Sequence, residues 1–263
     1  MKEKKHTKFV NRILFLFALA VFLFAAGKLI TIGFDYYSAD REYRDMQDYI
    51  QVPEETEAEA AEGSAPRLAV DFAALQEQNE DCIGWIYFEN PDISYPVMQG
   101  VDNNEYLRTT FFKEARTAGS IFIDADNAAD FSDENTFIYG HNMKDGTMFG
   151  QLKSYEEEAF YRENPQFMIY TPGGCGYYTI YSCYPANVND EEDSFAISFS
   201  ATEEYEEFQK MVKERSLYDT GVEVKPEQKT VTLMTCNKAG EDYRLLIHAV
   251  QTAFIPMDED THK

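Results

Sequence analysis

The chain has 263 residues, a formal net charge of −24 and an ordinary apolar fraction rich in Tyr and Phe. That length supports one sizeable domain with accessory segments rather than two large domains, and so acidic a body repels nucleic-acid phosphates, which excludes nucleic acid as a partner. Four cysteines, at positions 82, 175, 183 and 236, form no CxxC pair, match no zinc spacing and are too few for a disulfide scaffold.

Residues 1–12 run against the acidic trend as a basic cytoplasmic tail, with Lys2, Lys4, Lys5, Lys8 and Arg12 opposing Glu3. An apolar run from Ile13 to Gly27 follows, is interrupted by Lys28 and resumes from Leu29 to Phe34. Residues 13–34 can span a bilayer as a signal anchor if Lys28 snorkels to the outer face. The basic flank predicts the N-terminus inside and the body outside the cell. Ala25-Ala26-Gly27 offers the competing reading of a cleaved signal peptide, which the resumed apolar stretch disfavours. Residues 35–66 read as an acidic stalk. Its first part is helix-compatible, and 52–66 is a flexible run rich in Glu, Ala, Pro and Ser. The folded domain is expected over 67–257, with 258–263 as a short tail.

Inside the domain a short helix is predicted over 71–79, with Phe72 and Leu75 on its apolar side. Strands are predicted at 83–88, 95–99, 120–124, 135–140, 166–171, 177–184, 222–225, 230–236 and 244–254. They are β-branched or aromatic and are broken by turns such as Asn90-Pro91, Asp145-Gly146 and Pro172-Gly173. One helix interrupts them at 202–216, with Tyr205, Phe208, Met211 and Val212 at helical spacing and Thr202 as its cap. Many short strands with few helices define a mainly β fold, a closed barrel or a sandwich.

Chemistry concentrates at the end of the 230–236 strand. Alternation sets Val231, Leu233 and Thr235 on one face and Thr232, Met234 and Cys236 on the other. The polar turn after Cys236 leads into a strand opening at Tyr243-Arg244, so a hairpin returns Arg244 towards Cys236. A nearby cation favours the thiolate, and a guanidinium can steady an oxyanion. The plainer alternatives are a buried thiol and a surface arginine. A thiol nucleophile needs an acid/base partner. His6 lies in the tail and His262 is penultimate, which leaves His141 in a Gly-rich turn and His248 inside a strand. Position favours His141, and a mid-strand His248 reads as structural. Cys175 and Cys183 lie in one predicted strand about 26 Å apart and would not pair within it. Cys82, Cys175 and Cys183 are expected to be buried.

These segments resemble the sortases, the cysteine transpeptidases of Gram-positive cell surfaces. Thr232-Leu233-Met234-Thr235-Cys236 matches the family's TLxTC strand, and Arg244 follows at the spacing of its arginine. Tyr139-Gly140-His141-Asn142-Met143, running on to Gly150, is similar to the histidine segment of class B members. Further likeness lies at Gly84-Trp85-Ile86, Tyr95-Pro96-Val97, Asp102-Asn103 with Tyr106-Leu107, and the acidic helix at 202–216. The resemblance covers roughly residues 70–255.

The resemblance implies an eight-stranded β-barrel with peripheral helices, behind an N-terminal transmembrane helix. It also implies catalysis by Cys236, His141 and Arg244, with Thr235, Met234, Asn142 and Tyr205 contacting substrate. The implied reaction cleaves a C-terminal sorting signal of exported proteins after Thr and joins that Thr to an amine of peptidoglycan or of a pilin. No metal or organic cofactor is implied. Class B members often carry Ser where this chain has Met234, which leaves the sorting signal open. The alternatives are a secreted cysteine endopeptidase that only hydrolyses and a non-catalytic, membrane-tethered binding module.

Overall fold

The structure, a computed structural model, describes residues 2–51, 68–189, 192–236 and 242–257. It opens with one unbroken helix, α1 (Lys2–Asp45). The segment contains no proline to interrupt it. At about 1.5 Å per residue it runs roughly 66 Å, about twice the hydrocarbon thickness of a bilayer. Between Ile13 and Phe34 it exposes large apolar side chains such as Phe17, Phe22 and Ile30. It is long and apolar enough to cross a membrane.

Beyond Phe34 the helix changes character. Ala39, Tyr43 and Met46 are buried in the domain core, with Tyr36 packed beside them. Steps of three and four residues place all four on one helical face. This corrects the expected boundary at 67: residues 35–49 are part of the folded body, not a stalk. The remaining expected stalk, 52–66, and the tail 258–263 lie outside the described residues. Strand β1 (Ile50–Gln51) pairs antiparallel with β2 (Ala69–Val70) just beyond the end of α1.

Helix α2 (Phe72–Gln78) begins where Asp71 accepts the Ala74 amide at 2.9 Å, and it buries Phe72 and Leu75 as the spacing predicts. The barrel strands are β3 (Cys82–Phe88), β4 (Ile93–Met98), β5 (Ile121–Ile123), β6 (Asn135–His141), β7 (Gln166–Thr171), β8 (Gly174–Asn187), β9 (Thr230–Cys236) and β10 (Tyr243–Pro256). Helix α3 (Glu158–Glu163) precedes β7, and α4 (Thr202–Arg215) lies between β8 and β9. The eight strands close in the order β10-β8-β7-β3-β4-β5-β6-β9. Only β4–β5 and β6–β9 pair in parallel.

Two expectations need correction. Residues 222–225 form no strand. The amides of Gly221 and Val222 bond instead to the side chains of Asp219 and Thr220 in a local turn, while Val222 and Val224 pack beneath α4. The cap of α4 is Ala201, with no side-chain bond, rather than Thr202. Glu204 instead reaches back to the Ser200 amide at 2.7 Å.

The alternation along β9 sorts the core. Val231 and Leu233 join Ile138, Ile247 and Ala249 in the main cluster. On the outer face, Phe137, Leu246 and Val250 meet Tyr205, Phe208 and Val212 of α4 in a second cluster. Burying each such large apolar side chain is worth about 1.5–3 kcal/mol, so α4 is pinned over one half of that outer face.

Candidate active site

The site is built by strand register. In the parallel pair β6–β9, His141 stands opposite Cys236. In the antiparallel pair β9–β10, Leu246 stands opposite Met234. Beyond that pair, the Leu245 amide donates to Thr235 Oγ1 at 3.2 Å, and Arg244 lies one residue nearer the start of β10. Directly opposed residues point to the same side of a sheet. By alternation His141 and Arg244 lie on the outer face with Met234, where β6 and β10 flank the end of β9 at Cys236. The cluster beneath α4 reaches only as far as the half-buried Tyr139 and Met234, one alternation short of these strand ends.

The end of β6 is shaped around His141. Its ring is buried, and Nε2 donates to the Leu107 carbonyl at 2.6 Å. A carbonyl only accepts, so Nε2 carries hydrogen. The Phe149 amide donates to the His141 carbonyl at 3.0 Å, and Asn142 bridges to Met148, folding the following turn back under the histidine. A Cβ at Gly140 would stand 2.5 Å from the Phe149 ring and 2.6 Å from Ile121 Cδ1, so glycine is what lets Phe149 pack there.

Arg244 is half-buried at the start of β10, with Nη1 donating to the Tyr243 carbonyl at 3.0 Å. Beside Met234 on the outer face, the Tyr139 hydroxyl donates to Asp124 Oδ2 at 2.5 Å, and Asn103 Nδ2 donates to the same oxygen at 2.8 Å. The sequence reading named Tyr139 and Asn103 only within motifs. Counting back two residues from His141 along a strand would have put Tyr139 on the working face.

The remaining residues sort cleanly. His248 is sealed beneath α4, its Nδ1 at 2.9 Å from Thr232 Oγ1 and its ring stacked on Tyr184 at 5.4 Å. Burial pushes its imidazole down to about 3. Cys82, Cys175 and Cys183 are buried, as expected. Burial pushes the Cys82 and Cys183 thiols up to about 12, so neither supplies a thiolate at neutral pH.

Of the four residues expected to touch substrate, Asn142 is exposed beside His141, and Met234 is half-buried on the outer face. Thr235 is buried, and its hydroxyl ties β9 to β10. Tyr205 is also buried. Its hydroxyl donates towards the carbonyls of Glu134 and Gln228 and lies 3.0 Å from Thr230 Oγ1. Both hydroxyls tie backbone segments of the barrel together. Among the described residues, no three metal-ligating side chains cluster.

The fold is a closed eight-stranded barrel in which the strands ending or beginning at His141, Cys236 and Arg244 are neighbours. The family model for the sortase domain matches residues 86–252. Sortase B of Listeria monocytogenes is 34% identical over 236 residues, which cover 89% of this chain and 92% of the relative. The crystal structure of Bacillus anthracis sortase B in complex with AAEK1 superposes with a TM-score of 0.71 at 30% identity, covering 86% of this chain and all of that one. The Staphylococcus aureus sortase B–substrate complex matches with a TM-score of 0.66 at 30% identity, over 71% of this chain and 85% of that one. The chain belongs to the sortase family, and the relatives it matches are sortase B enzymes. It is accordingly a cysteine-dependent transpeptidase of the cell-wall-anchoring type.

Proposed function

We propose that Cys236 is the nucleophile, His141 the general acid and base, and Arg244 the group that holds the reacting carbonyl. The substrate is an exported protein that ends in a sorting signal and is cleaved after its Thr. The Cys236 thiolate attacks the Thr carbonyl carbon. Arg244 steadies the oxygen as it gains negative charge. The C–N bond breaks, the departing amine takes a proton from the imidazolium of His141, and a thioester remains on Cys236. An amine of peptidoglycan or of a pilin then gives its proton to His141 and attacks the thioester. This releases the thiolate and leaves the substrate Thr in a new amide bond. With Nε2 held on the Leu107 carbonyl, this proton traffic runs through Nδ1. Met234 and Asn142 flank the reacting groups and contact the signal.

The observation that carries this reading is the register that sets His141 opposite Cys236 on β6 and β9, with Arg244 near the start of the neighbouring β10. Membership in a family of cysteine transpeptidases supports it, as does the sealing of three of the four thiols. The relative from Staphylococcus aureus has been captured with a substrate. The domain works outside the cell, with the N-terminus of α1 inside, as the basic residues flanking the apolar stretch favour.

The test incubates the chain with a library of quenched sorting peptides, with and without triglycine or diaminopimelate, beside Cys236→Ala. Cleavage of one peptide class that is lost in Cys236→Ala and yields amine-capped product is expected. Hydrolysed product alone, at high concentrations of both amines, contradicts transfer to such acceptors and favours an endopeptidase.

A further inference from the structure

The extracellular half of α1 buries Ala39 and Tyr43 against the barrel, and of the two only Tyr43 carries a polar group into it. Its hydroxyl donates to the Gly119 carbonyl at 2.6 Å and lies 3.2 Å from Ser120 Oγ. Its ring meets Tyr95 edge-on, with centroids 5.3 Å apart. Both contacts lead to His141 by short routes.

The first route runs through the 106–120 segment. Gly119 has a positive φ of 57°, and a Cβ there would stand 2.5 Å from the Leu107 carbonyl oxygen. The Ser120 amide donates to the Tyr106 carbonyl at 3.0 Å, and Ser120 Oγ donates to Thr109 at 2.8 Å. Residues 119 and 120 are therefore laid directly along 106–109, and the Leu107 carbonyl in that stretch is the acceptor for His141 Nε2. The second route runs through Tyr95. Its hydroxyl accepts the Met148 amide at 3.1 Å. Met148 bridges to Asn142, and the next residue, Phe149, donates to the His141 carbonyl. One side chain of the anchor helix thus braces both walls that hold the histidine.

We propose that Tyr43 is a positioning residue for His141, so that the membrane-anchor helix and the acid/base group form one mechanical unit. The role rests on the reading of His141 given above. Around Tyr43, α1 makes parallel ties to the same wall: the Thr117 amide donates to Asp35 at 3.2 Å and the Phe112 amide to Glu42 at 3.1 Å. Gln47 donates to the Ser94 carbonyl at 3.0 Å, next to Tyr95. A polar segment that merely spaced a domain from a membrane would not need a buried tyrosine hydroxyl aimed at the loop that carries the histidine's acceptor. Because the proton in transit occupies Nδ1, a small rotation of the ring about its Nε2 bond is enough to change the rate.

The experiment uses the full chain in phosphatidylglycerol nanodiscs and reads Cys236 alkylation by iodoacetamide against pH, peptide by peptide, by mass spectrometry. It compares wild type with Tyr43→Phe, His141→Ala and a remote control, Tyr161→Phe. The control removes a hydroxyl bonded to the Thr220 carbonyl away from this site. Imidazole titration of His141 is followed in parallel by nitrogen NMR. Tyr43→Phe keeps the ring on Tyr95 and removes only the hydroxyl. It should slow alkylation near neutral pH by about three- to tenfold and move the limb of the profile that His141→Ala abolishes, with the His141 titration moving alike. The control should match wild type. A Tyr43→Phe profile and titration equal to wild type, while His141→Ala still alters the profile, would overturn the proposal. A profile unaltered by His141→Ala would instead overturn the acid/base reading of His141, and the NMR titration would still decide whether Tyr43 positions the ring. If Tyr43→Phe does not fold, Ser120→Ala removes the barrel-side hydroxyl and is read in the same way.

Discussion

His141 and His248 stand on neighbouring stretches of the same outer face, yet they live in opposite surroundings. His248 sits mid-strand beneath α4, walled by Tyr184, Tyr181 and Phe208 and driven to its neutral form. His141 ends its strand beyond the edge of that cluster, with one nitrogen assigned to a backbone carbonyl. The difference is made by a helix rather than by the histidines. Where α4 covers the face, a histidine becomes a packing residue. Where the cover stops, His141 stands in register with Cys236 at the strand ends, and Arg244 opens the neighbouring strand. The same barrel wall is thus sealed core at one end and, on the proposed reading, the reacting surface at the other.

The comparison breaks most sharply by substitution. Cys236→Ala should abolish transfer entirely, and His141→Gln should lower kcat by about 10²–10⁴, measured with the selected sorting peptide. His248→Gln should leave kcat within about threefold of wild type if α4 refolds over it. A larger loss in the folded variant would place His248 in the chemistry. Arg244→Lys keeps the charge but loses the planar fork, and should cost about 10²-fold in kcat with little change in KM.

The covered region should fail through stability instead. Tyr205→Phe leaves the Glu134 and Gln228 carbonyls without that donor and should cost about 1–3 kcal/mol in denaturant unfolding, while activity in the folded fraction stays intact. Acid should also distinguish the two regions. The folded chain holds His248 neutral down to about pH 3, whereas the unfolded chain protonates it near pH 6.5. As pH falls below ~6.5 the unfolded state binds the extra proton, so stability drops by up to about 1.4 kcal/mol per pH unit until the folded group titrates. Wild type should show this slope and His248→Gln should lack that share of it, measured as unfolding midpoint against pH. The smallest effect belongs to Met234→Ser. Being half-buried at the boundary, it should change stability by less than about 1 kcal/mol and act mainly on which peptide is preferred.

Much of this was legible in the sequence. Period-two alternation in 230–236 separated Val231 and Leu233 from Thr232 and Met234 correctly, because one face of that strand had to be buried in the barrel. The short apolar turns of α2 and α4 were equally plain. The docking of 35–49 was not. Its buried residues, Ala39, Tyr43 and Met46, are sparse among charged neighbours, and long-range packing decided the matter where local composition suggested a spacer. The strand expected at 222–225 failed because Asp219 and Thr220 offer the backbone a local alternative. The hydroxyl bonds of Thr235 and Tyr205 within the barrel were not legible either, because they join segments far apart in the chain.

The central claim is that Cys236 carries the acyl group, and its most direct test is intact and peptide mass spectrometry of the chain quenched during turnover of the selected sorting peptide. A mass increase equal to the peptide up to its Thr, mapped to Cys236, lost by mild hydroxylamine and absent from Cys236→Ala, is the expected result. Turnover with no adduct on Cys236, or an adduct on any other residue, would contradict it.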